Sequence, residues 1–313
     1  MQAEADEFSS SKELVLRAPA KVNLMLSVHG PRADGFHALT SLVAPLEFHD
    51  ALTIAVAGEG ADSDHLTVDA PLVPTDGSNL ILQAAKKFRA RLLEAQAARQ
   101  AVFFEFELKK RIPVGAGLGG GSSDAAVALK GMNALLGEPF GTHELRELAA
   151  ALGSDCPFFL EPEVTLMQGR GEVLSPVPAA VRTALEGQRL LLFKPDFGIS
   201  TVWAYQTMKA GAPEYYESEA VALARLKTFE EDLGLEGLVY NDFEPVVTNK
   251  YLSIATLLEL LRGEGHLCGV SGSGSCCFLL LEASQQATEI KEIKRLIQSA
   301  WGKAVFFIET RIV

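Results

Sequence analysis

Residues 102–108 place Phe104, Phe106 and Leu108 on one face and Glu105 and Glu107 on the other, which predicts a strand wetted on one side. Residues 22–28 and 52–56 read as two earlier strands. Between the second and third of these strands, residues 79–96 are rich in Ala, Leu, Lys and Arg and lack Gly and Pro, which predicts a helix. Residues 125–136 are apolar nearly all round, as in a helix buried on several sides, and this helix is expected to start near Ser122. A shorter helix is predicted over 142–152, with Thr142 as its N-cap and Gly153 closing it. Farther along, strands are expected at 164–168, 190–193, 276–281 and 304–308, and helices at 251–262 and 284–301. In the last helix Ile290, Ile293, Ile297 and Trp301 recur at helical spacing. Residues 210–230 are polar with scattered acids and read as loop or short helix.

Composition narrows the function classes. With 313 residues, 48% hydrophobic and 22% charged, the chain can bury a substantial core, and its length favours two domains. Loosened composition over 169–178 suggests a boundary near residue 170, giving domains at 17–170 and 171–313 after an acidic, Ser-rich leader at 1–16. A net charge of −12 opposes a broad basic surface for nucleic acid or an anionic membrane, leaving a small-molecule partner as the expectation. The N-terminus lacks the order of a signal peptide, and no apolar run reaches the roughly 18 residues of a membrane span. Cys156, Cys268, Cys276 and Cys277 have no paired CxxC spacing, so reduced buried thiols in a cytoplasm are expected.

The densest chemical signal is Pro113-Val114-Gly115-Ala116-Gly117-Leu118-Gly119-Gly120-Gly121-Ser122-Ser123-Asp124, set between a strand and a helix. Glycines let backbone N–H groups approach a polyanion, and a helix N-terminus adds aligned donors and about half a positive charge. A flexible linker with a helix cap is the alternative, but the apolar Val114 and Leu118 and the buried helix that follows speak against it. A Walker A loop needs Lys followed by Ser or Thr after its last glycine, and here Ser-Ser-Asp follows. A literal GxGxxG runs from Gly115 to Gly120, but it does not open a βαβ unit near the start of the chain, so a dinucleotide fold fits poorly.

This segment resembles the phosphate-loop motif of the galactokinase, homoserine kinase, mevalonate kinase and phosphomevalonate kinase (GHMP) superfamily. Pro19-Ala20-Lys21-Val22-Asn23-Leu24 and Gly269-Val270-Ser271-Gly272-Ser273-Gly274-Ser275 resemble its N-terminal and C-terminal motifs, in order. Asp34-Gly35-Phe36-His37, Gly153-Ser154-Asp155-Cys156-Pro157-Phe158-Phe159 and Asn241-Asp242-Phe243-Glu244 resemble members that act in the non-mevalonate isoprenoid pathway. The resemblance implies an α+β, two-domain GHMP kinase fold. Its N-terminal half is ribosomal-protein-S5-domain-2-like and its C-terminal half ferredoxin-like, with the last strand able to pack back on the first domain. It also implies transfer of a phosphoryl group from ATP to the 2-hydroxyl of 4-diphosphocytidyl-2-C-methyl-D-erythritol.

On this resemblance Asp155 takes the proton of the substrate hydroxyl and Lys21 lies beside it and the transferring phosphoryl group. The residues alone allow blander roles, a turn aspartate bonding its own backbone and a strand-edge lysine in water. Pro113 to Ser123 bind ATP. Ser271, Gly272, Ser273 and Gly274 close over phosphate, or merely form the turn before the strand at 276. Phe36 and His37 meet the cytosine by stacking and hydrogen bonding, with Phe36 where relatives often carry Tyr. Tyr205 supplies a second aromatic face or is a core residue. Asn23 meets the polar end of the substrate, and Asn241-Asp242 is a candidate Asx turn. No set of hard oxygen ligands for a standing metal is visible, so Mg²⁺ is expected to arrive with ATP, with Ser122 or Ser123 as candidate ligands.

Overall fold

The computed structural model describes residues 13–95, 97 and 100–313. Residues 1–12 of the expected leader, and the Gln96 end of the first predicted helix, lie outside the described residues; residues 13–16 already belong to the first strand. In chain order the elements are β1 (Glu13–Pro31), β2 (His37–Val56), β3 (His65–Val68), α1 (Leu80–Glu94), β4 (Phe104–Lys109), α2 (Gly120–Leu135), α3 (Thr142–Ala150), β5 (Thr165–Gly169), β6 (Val173–Pro176) and α4 (Ala179–Leu185). They continue with β7 (Arg189–Lys194), α5 (Thr201–Ala210), α6 (Glu219–Asp232), β8 (Tyr240–Asn241), α7 (Phe243–Lys250), α8 (Leu252–Gly263), β9 (Cys268–Val270), β10 (Cys277–Leu281), α9 (Ala287–Trp301) and β11 (Phe306–Arg311). The mixed content is the α+β class expected. No helix among the described residues is long and apolar enough to cross a membrane.

Two compact units divide the chain. Among the described residues, one comprises 13–18, Asp50–Arg111 and Gly121–Leu160, the other Pro19–His49, Ile112–Gly120 and Glu161–Val313. In the first, β4 buries Phe104, Phe106 and Leu108 and exposes the residues between them, as its alternation requires. It pairs antiparallel with the end of β2 at Ala51–Val56 and parallel with β3. Helix α1 is capped by Asn79, whose Oδ1 accepts from the Ile81 N–H at 2.9 Å, and it buries Ile81, Ala84, Ala85, Phe88 and Leu92. Helix α2 is buried on nearly all sides, and a β-carbon on Gly131 would lie 2.3 Å from Ile54 Cδ1, so a larger residue there has to push the Ile54 side chain aside. Gly141, rather than Thr142, is the N-cap of α3: its N–H donates to Glu144 Oε2 at 3.1 Å, and Thr142 is the first helical residue.

In the second unit, β7, β9, β10 and β11 form an antiparallel sheet in the order β11-β7-β10-β9. Both faces are covered. Leu190 and Leu192 of β7 and Phe278 and Leu280 of β10 enter one core, while Leu191, Phe193, Cys277, Leu279 and Leu281 enter another formed with Ile254, Leu257, Leu258, Ile290, Ile293 and Ile297 of α8 and α9. This is why residues 276–281 read as an unbroken apolar run rather than an alternation. The first part of β2 pairs with β5, β5 with β6, and β1 runs parallel to β8. All four cysteines are free and buried.

Several elements depart from the expectations. The strand at 22–28 extends over 13–31, and 52–56 is only the end of a strand that starts at His37. Strand β11 starts two residues later than expected and runs to Arg311. Within 210–230 lies α6, capped by Ser218 and burying Ala222, Leu226 and Phe229. Helices α5 and α7 are additional.

Candidate active site

Three segments singled out by the sequence meet within the second unit. The glycine-rich loop alternates left-handed glycines, Gly115 (φ 63°), Gly117 (φ 75°) and Gly119 (φ 73°), with the buried Ala116 and Leu118. The apolar side chains anchor the loop, and the left-handed positions are ones that glycine adopts without strain. The chain then runs directly into α2 at Gly120, two residues before the Ser122 start expected.

The N-terminal motif is tied to this loop by the Lys21 N–H, which donates to the Leu118 carbonyl at 3.0 Å. Lys21 is only 6% exposed, which removes the reading of a strand-edge lysine in water. Its Nζ donates to Asn23 Oδ1, Asn23 Nδ2 donates to Ser41 Oγ at 2.9 Å, and Ser41 Oγ donates to the Met25 carbonyl at 2.6 Å. Asn23, expected at the polar end of a substrate, is thus also the residue that holds Lys21.

The C-terminal motif closes the set. Ser271 Oγ donates to the Gly117 carbonyl at 3.2 Å, and the Cys276 N–H to the Ala116 carbonyl at 3.1 Å. A β-carbon on Gly117 would lie 2.1 Å from the Ser271 carbonyl oxygen, and one on Gly272 would lie 3.3 Å from Lys21 Nζ. Residues 271–274 therefore do more than turn the chain into β10: they pack on the glycine-rich loop and beside Lys21. Asn241 is the expected Asx turn, its Oδ1 accepting from the Phe243 N–H at 2.9 Å, and its Nδ2 also donates to the carbonyls of Val270 and Gly272 at 2.8 Å each. Thr201 and Ser273 share a hydroxyl hydrogen bond of 2.8 Å.

The aromatic residues form a second group in the same unit. His37 stacks, tilted, on Tyr205 with centroids 4.8 Å apart, and Tyr205 also meets Phe243 edge-on at 4.8 Å. Tyr205 is therefore both a packing residue and a neighbour of His37. Phe36 is 47% exposed and carries the Arg170 guanidinium 4.7 Å from its ring centroid. Burial, and the charge of Lys209, hold His37 below its ordinary pKa, so its imidazole is neutral near pH 7. Tyr216 completes the group, its hydroxyl 3.1 Å from His37 Nε2. Sequence reasoning missed Tyr216 and Arg170; a Tyr-Tyr pair inside an otherwise polar stretch was the available signal for the first.

Asp155, Ser122 and Ser123 belong to the first unit. Asp155 sits in the turn between α3 and a buried 3₁₀ turn, Cys156–Leu160, with the Cys156 N–H donating to the Gly153 carbonyl at 3.2 Å. The Ser122 hydroxyl hydrogen-bonds the Cys156 thiol, whose pKa burial pushes up to about 11, so the first turn of α2 is linked to the residue next to Asp155. Ser123 Oγ and Asp124 Oδ1 are buried without a hydrogen-bond partner, while Asp124 Oδ2 accepts from Lys110 Nζ at 2.6 Å. Lys110 also donates to Asp50 at 2.5 Å. This Lys-Asp-Asp cluster under the helix start was not anticipated, although Asp124 ends the glycine-rich segment. No group of three or more His, Cys, Asp or Glu among the described residues could hold a metal ion.

Comparison with known proteins bears on the same residues. The profile of the GHMP kinases N terminal domain matches residues 79–161, and that of the GHMP kinases C terminal matches 219–299. The 4-diphosphocytidyl-2-C-methyl-D-erythritol kinase of Synechococcus sp. (strain CC9902) is 37% identical over 305 residues, covering 92% of this chain and 96% of its own. That of Gloeobacter violaceus is 36% identical over 275 residues, covering 85% of each. A crystal structure of 4-(cytidine 5'-diphospho)-2C-methyl-D-erythritol kinase superposes with a TM-score of 0.72 at 31% identity, covering 95% of this chain and 99% of its own. Homoserine kinase from Cytophaga hutchinsonii, at 18% identity and a TM-score of 0.66, shares the fold. With both profiles matched and full-length relatives above 30% identity, the chain belongs to the GHMP kinases and, within them, to the 4-diphosphocytidyl-2-C-methyl-D-erythritol kinase family.

Proposed function

We propose that the chain transfers the γ-phosphoryl group of ATP to the 2-hydroxyl of 4-diphosphocytidyl-2-C-methyl-D-erythritol, yielding the 2-phosphate and ADP. It is an ATP-dependent kinase of isoprenoid biosynthesis that phosphorylates an alcohol. The observation that carries the site assignment is the convergence of Lys21 and Asn23, the loop at Gly115 to Leu118, and Ser271 to Gly274 through the Leu118, Gly117 and Ala116 carbonyls.

Phosphoryl transfer asks a protein for positioning and charge neutralisation more than for covalent chemistry. In this reading the left-handed glycines and the start of α2 receive the ATP phosphates, and the Lys21 ammonium neutralises charge on the transferring group. Asp155, on a turn fixed by the Gly153 carbonyl and the buried segment after it, takes the proton of the hydroxyl. His37, Tyr205 and Phe36 receive the cytosine. Mg²⁺, when bound with the nucleotide, neutralises phosphate charge. Ser123, whose buried hydroxyl is unpartnered, fits as a single protein oxygen for it better than Ser122, which is engaged by Cys156.

A homoserine or mevalonate kinase activity is the second enzyme reading, and an inactive small-molecule sensor on the same fold a third. A homoserine kinase and a mevalonate kinase that share the fold are 18% and 13% identical. Incubating the protein with Mg-ATP and each of the three alcohols, and following products by phosphorus NMR, decides among them. ADP and a new phosphomonoester are expected with the cytidylyl substrate; product only with homoserine or mevalonate refutes the assignment, and no product with any supports the sensor.

A further inference from the structure

We propose that Tyr216 is a positioning residue that fixes His37 as the tautomer with its proton on Nδ1, and so makes it a hydrogen-bond donor to the pyrimidine. This rests on the reading of His37 as a cytosine contact.

The placement of Tyr216 is heavily determined. Its N–H donates to the Pro213 carbonyl at 3.0 Å, and a β-carbon on Gly30 would touch its ring at 3.8 Å. The next residue, Glu217, is bound to β1 at several points. Its N–H donates to the Val28 carbonyl at 3.1 Å, and its carboxylate accepts from Ser27 Oγ at 2.6 Å and from Arg225 at 2.7 and 2.8 Å. Before it, Tyr215 Oη accepts from Asn249 Nδ2 at 3.0 Å. The phenol is thus delivered to His37 Nε2 by a rigid segment, with the two rings 5.8 Å apart.

Which atom donates follows from basicity. A neutral imidazole has one N–H and one bare nitrogen, and the hydrogen bond made at one nitrogen sets the state of the other. A phenol is a better donor than acceptor, and a bare imidazole nitrogen is the stronger base, so Tyr216 Oη–H donates to Nε2 and the proton resides on Nδ1. Burial raises the Tyr216 pKa and lowers that of His37, so both partners are neutral near pH 7 and the bond keeps this direction. The neighbouring His29 is likewise held at both ring nitrogens, its Nδ1 donating to the Glu217 carbonyl and its Nε2 bonding Thr40 Oγ1, each at 2.8 Å. A donor at His37 Nδ1 matches the bare N3 of cytosine and opposes the N3–H of uracil, a mismatch that leaves a polar group unpaired.

The test uses the full-length enzyme labelled with ¹⁵N-histidine. Two-bond ¹H–¹⁵N correlation spectra should show His37 with a protonated Nδ1 and a bare Nε2, and in Tyr216→Phe the Nε2–H form should appear. Kinetically, Tyr216→Phe should raise KM for the cytidylyl substrate about tenfold, leave kcat within about twofold and KM for ATP unchanged, and narrow the preference over the uridylyl analogue. The proposal is overturned if His37 is the Nε2–H form in the native enzyme, or if Tyr216→Phe changes neither tautomer nor KM. His37→Ala separates the two levels: an unchanged KM there refutes the cytosine reading of His37, whereas a raised KM with silent Tyr216→Phe refutes only the role of Tyr216.

Discussion

Lys110 Nζ lies 2.6 Å from Asp124 Oδ2 and 2.5 Å from Asp50 Oδ2, so a single buried ammonium serves two buried carboxylates beneath the first turn of α2. Three such groups cannot all be ionised without leaving a net negative charge out of water. Burial is the largest cause raising the Asp124 carboxyl, Lys110 opposes it and Asp50 reinforces it, and the result is pushed up to about 7.

The pH dependence of stability follows from that shift. A carboxyl whose pKa is raised by folding binds its proton more tightly in the native state, so its contribution is complete below about pH 4 and is lost as pH rises toward 7. At about 1.4 kcal/mol per unit, the loss is on the order of 2 to 4 kcal/mol. The raised pKa of Lys110 acts only above this window. Thermal unfolding from pH 5 to 8 should show Tm falling in the native protein and a flatter profile in Asp124→Asn. Parallel profiles for the two proteins would show that the cluster does not titrate there.

Gly117 gives a sharper structural test. With φ at 75° and the Ser271 carbonyl oxygen 2.1 Å from a would-be β-carbon, Gly117→Ala forces apart two motifs that hold each other. Left-handed strain alone costs an alanine roughly 1–2 kcal/mol. Gly187, with φ at 81° and nothing within 4 Å, isolates that strain. Gly187→Ala should therefore lower stability by about 1 kcal/mol with full activity, while Gly117→Ala should lose at least about 100-fold in kcat/KM and more stability. Equal effects at the two positions would assign the cost to backbone strain and none to the contact.

Legibility in the sequence followed the physics of each segment. Strand β4 and helix α9 each present one wet face, and their periods were plain. The first part of β2 was not, because Thr40, Ser41 and Pro45 interrupt a strand buried on both faces, where alternation carries no information. In α6 the buried Ala222, Leu226 and Phe229 keep helical spacing but are diluted by acids. The glycine segments announced themselves because conformations and close approaches available only to glycine leave a compositional mark. The bonds from His37 to Tyr216 and from Asp50 to Lys110 leave none: they join residues 179 and 60 positions apart through ordinary side chains.

Lys21 and Asp155 are proposed to act in different capacities, and paired substitutions separate them. Lys21 is held by Asn23 and adjoins Gly272 in the loop assigned to phosphate, so Lys21→Met removes a charge that serves both nucleotide binding and the transition state. Asp155→Asn is nearly isosteric and removes the carboxylate charge together with the proton acceptor. The expected outcomes are a fall in kcat of about 10² to 10⁴ for Asp155→Asn with unchanged ATP affinity, and a comparable or larger fall for Lys21→Met together with weaker ATP binding. Calorimetric titration with a non-hydrolysable ATP analogue and steady-state rates measure the two quantities independently. Unchanged turnover in Asp155→Asn would remove it from proton transfer, and unchanged nucleotide affinity in Lys21→Met would confine the lysine to the transition state, where its ammonium meets charge that the ground state does not yet carry.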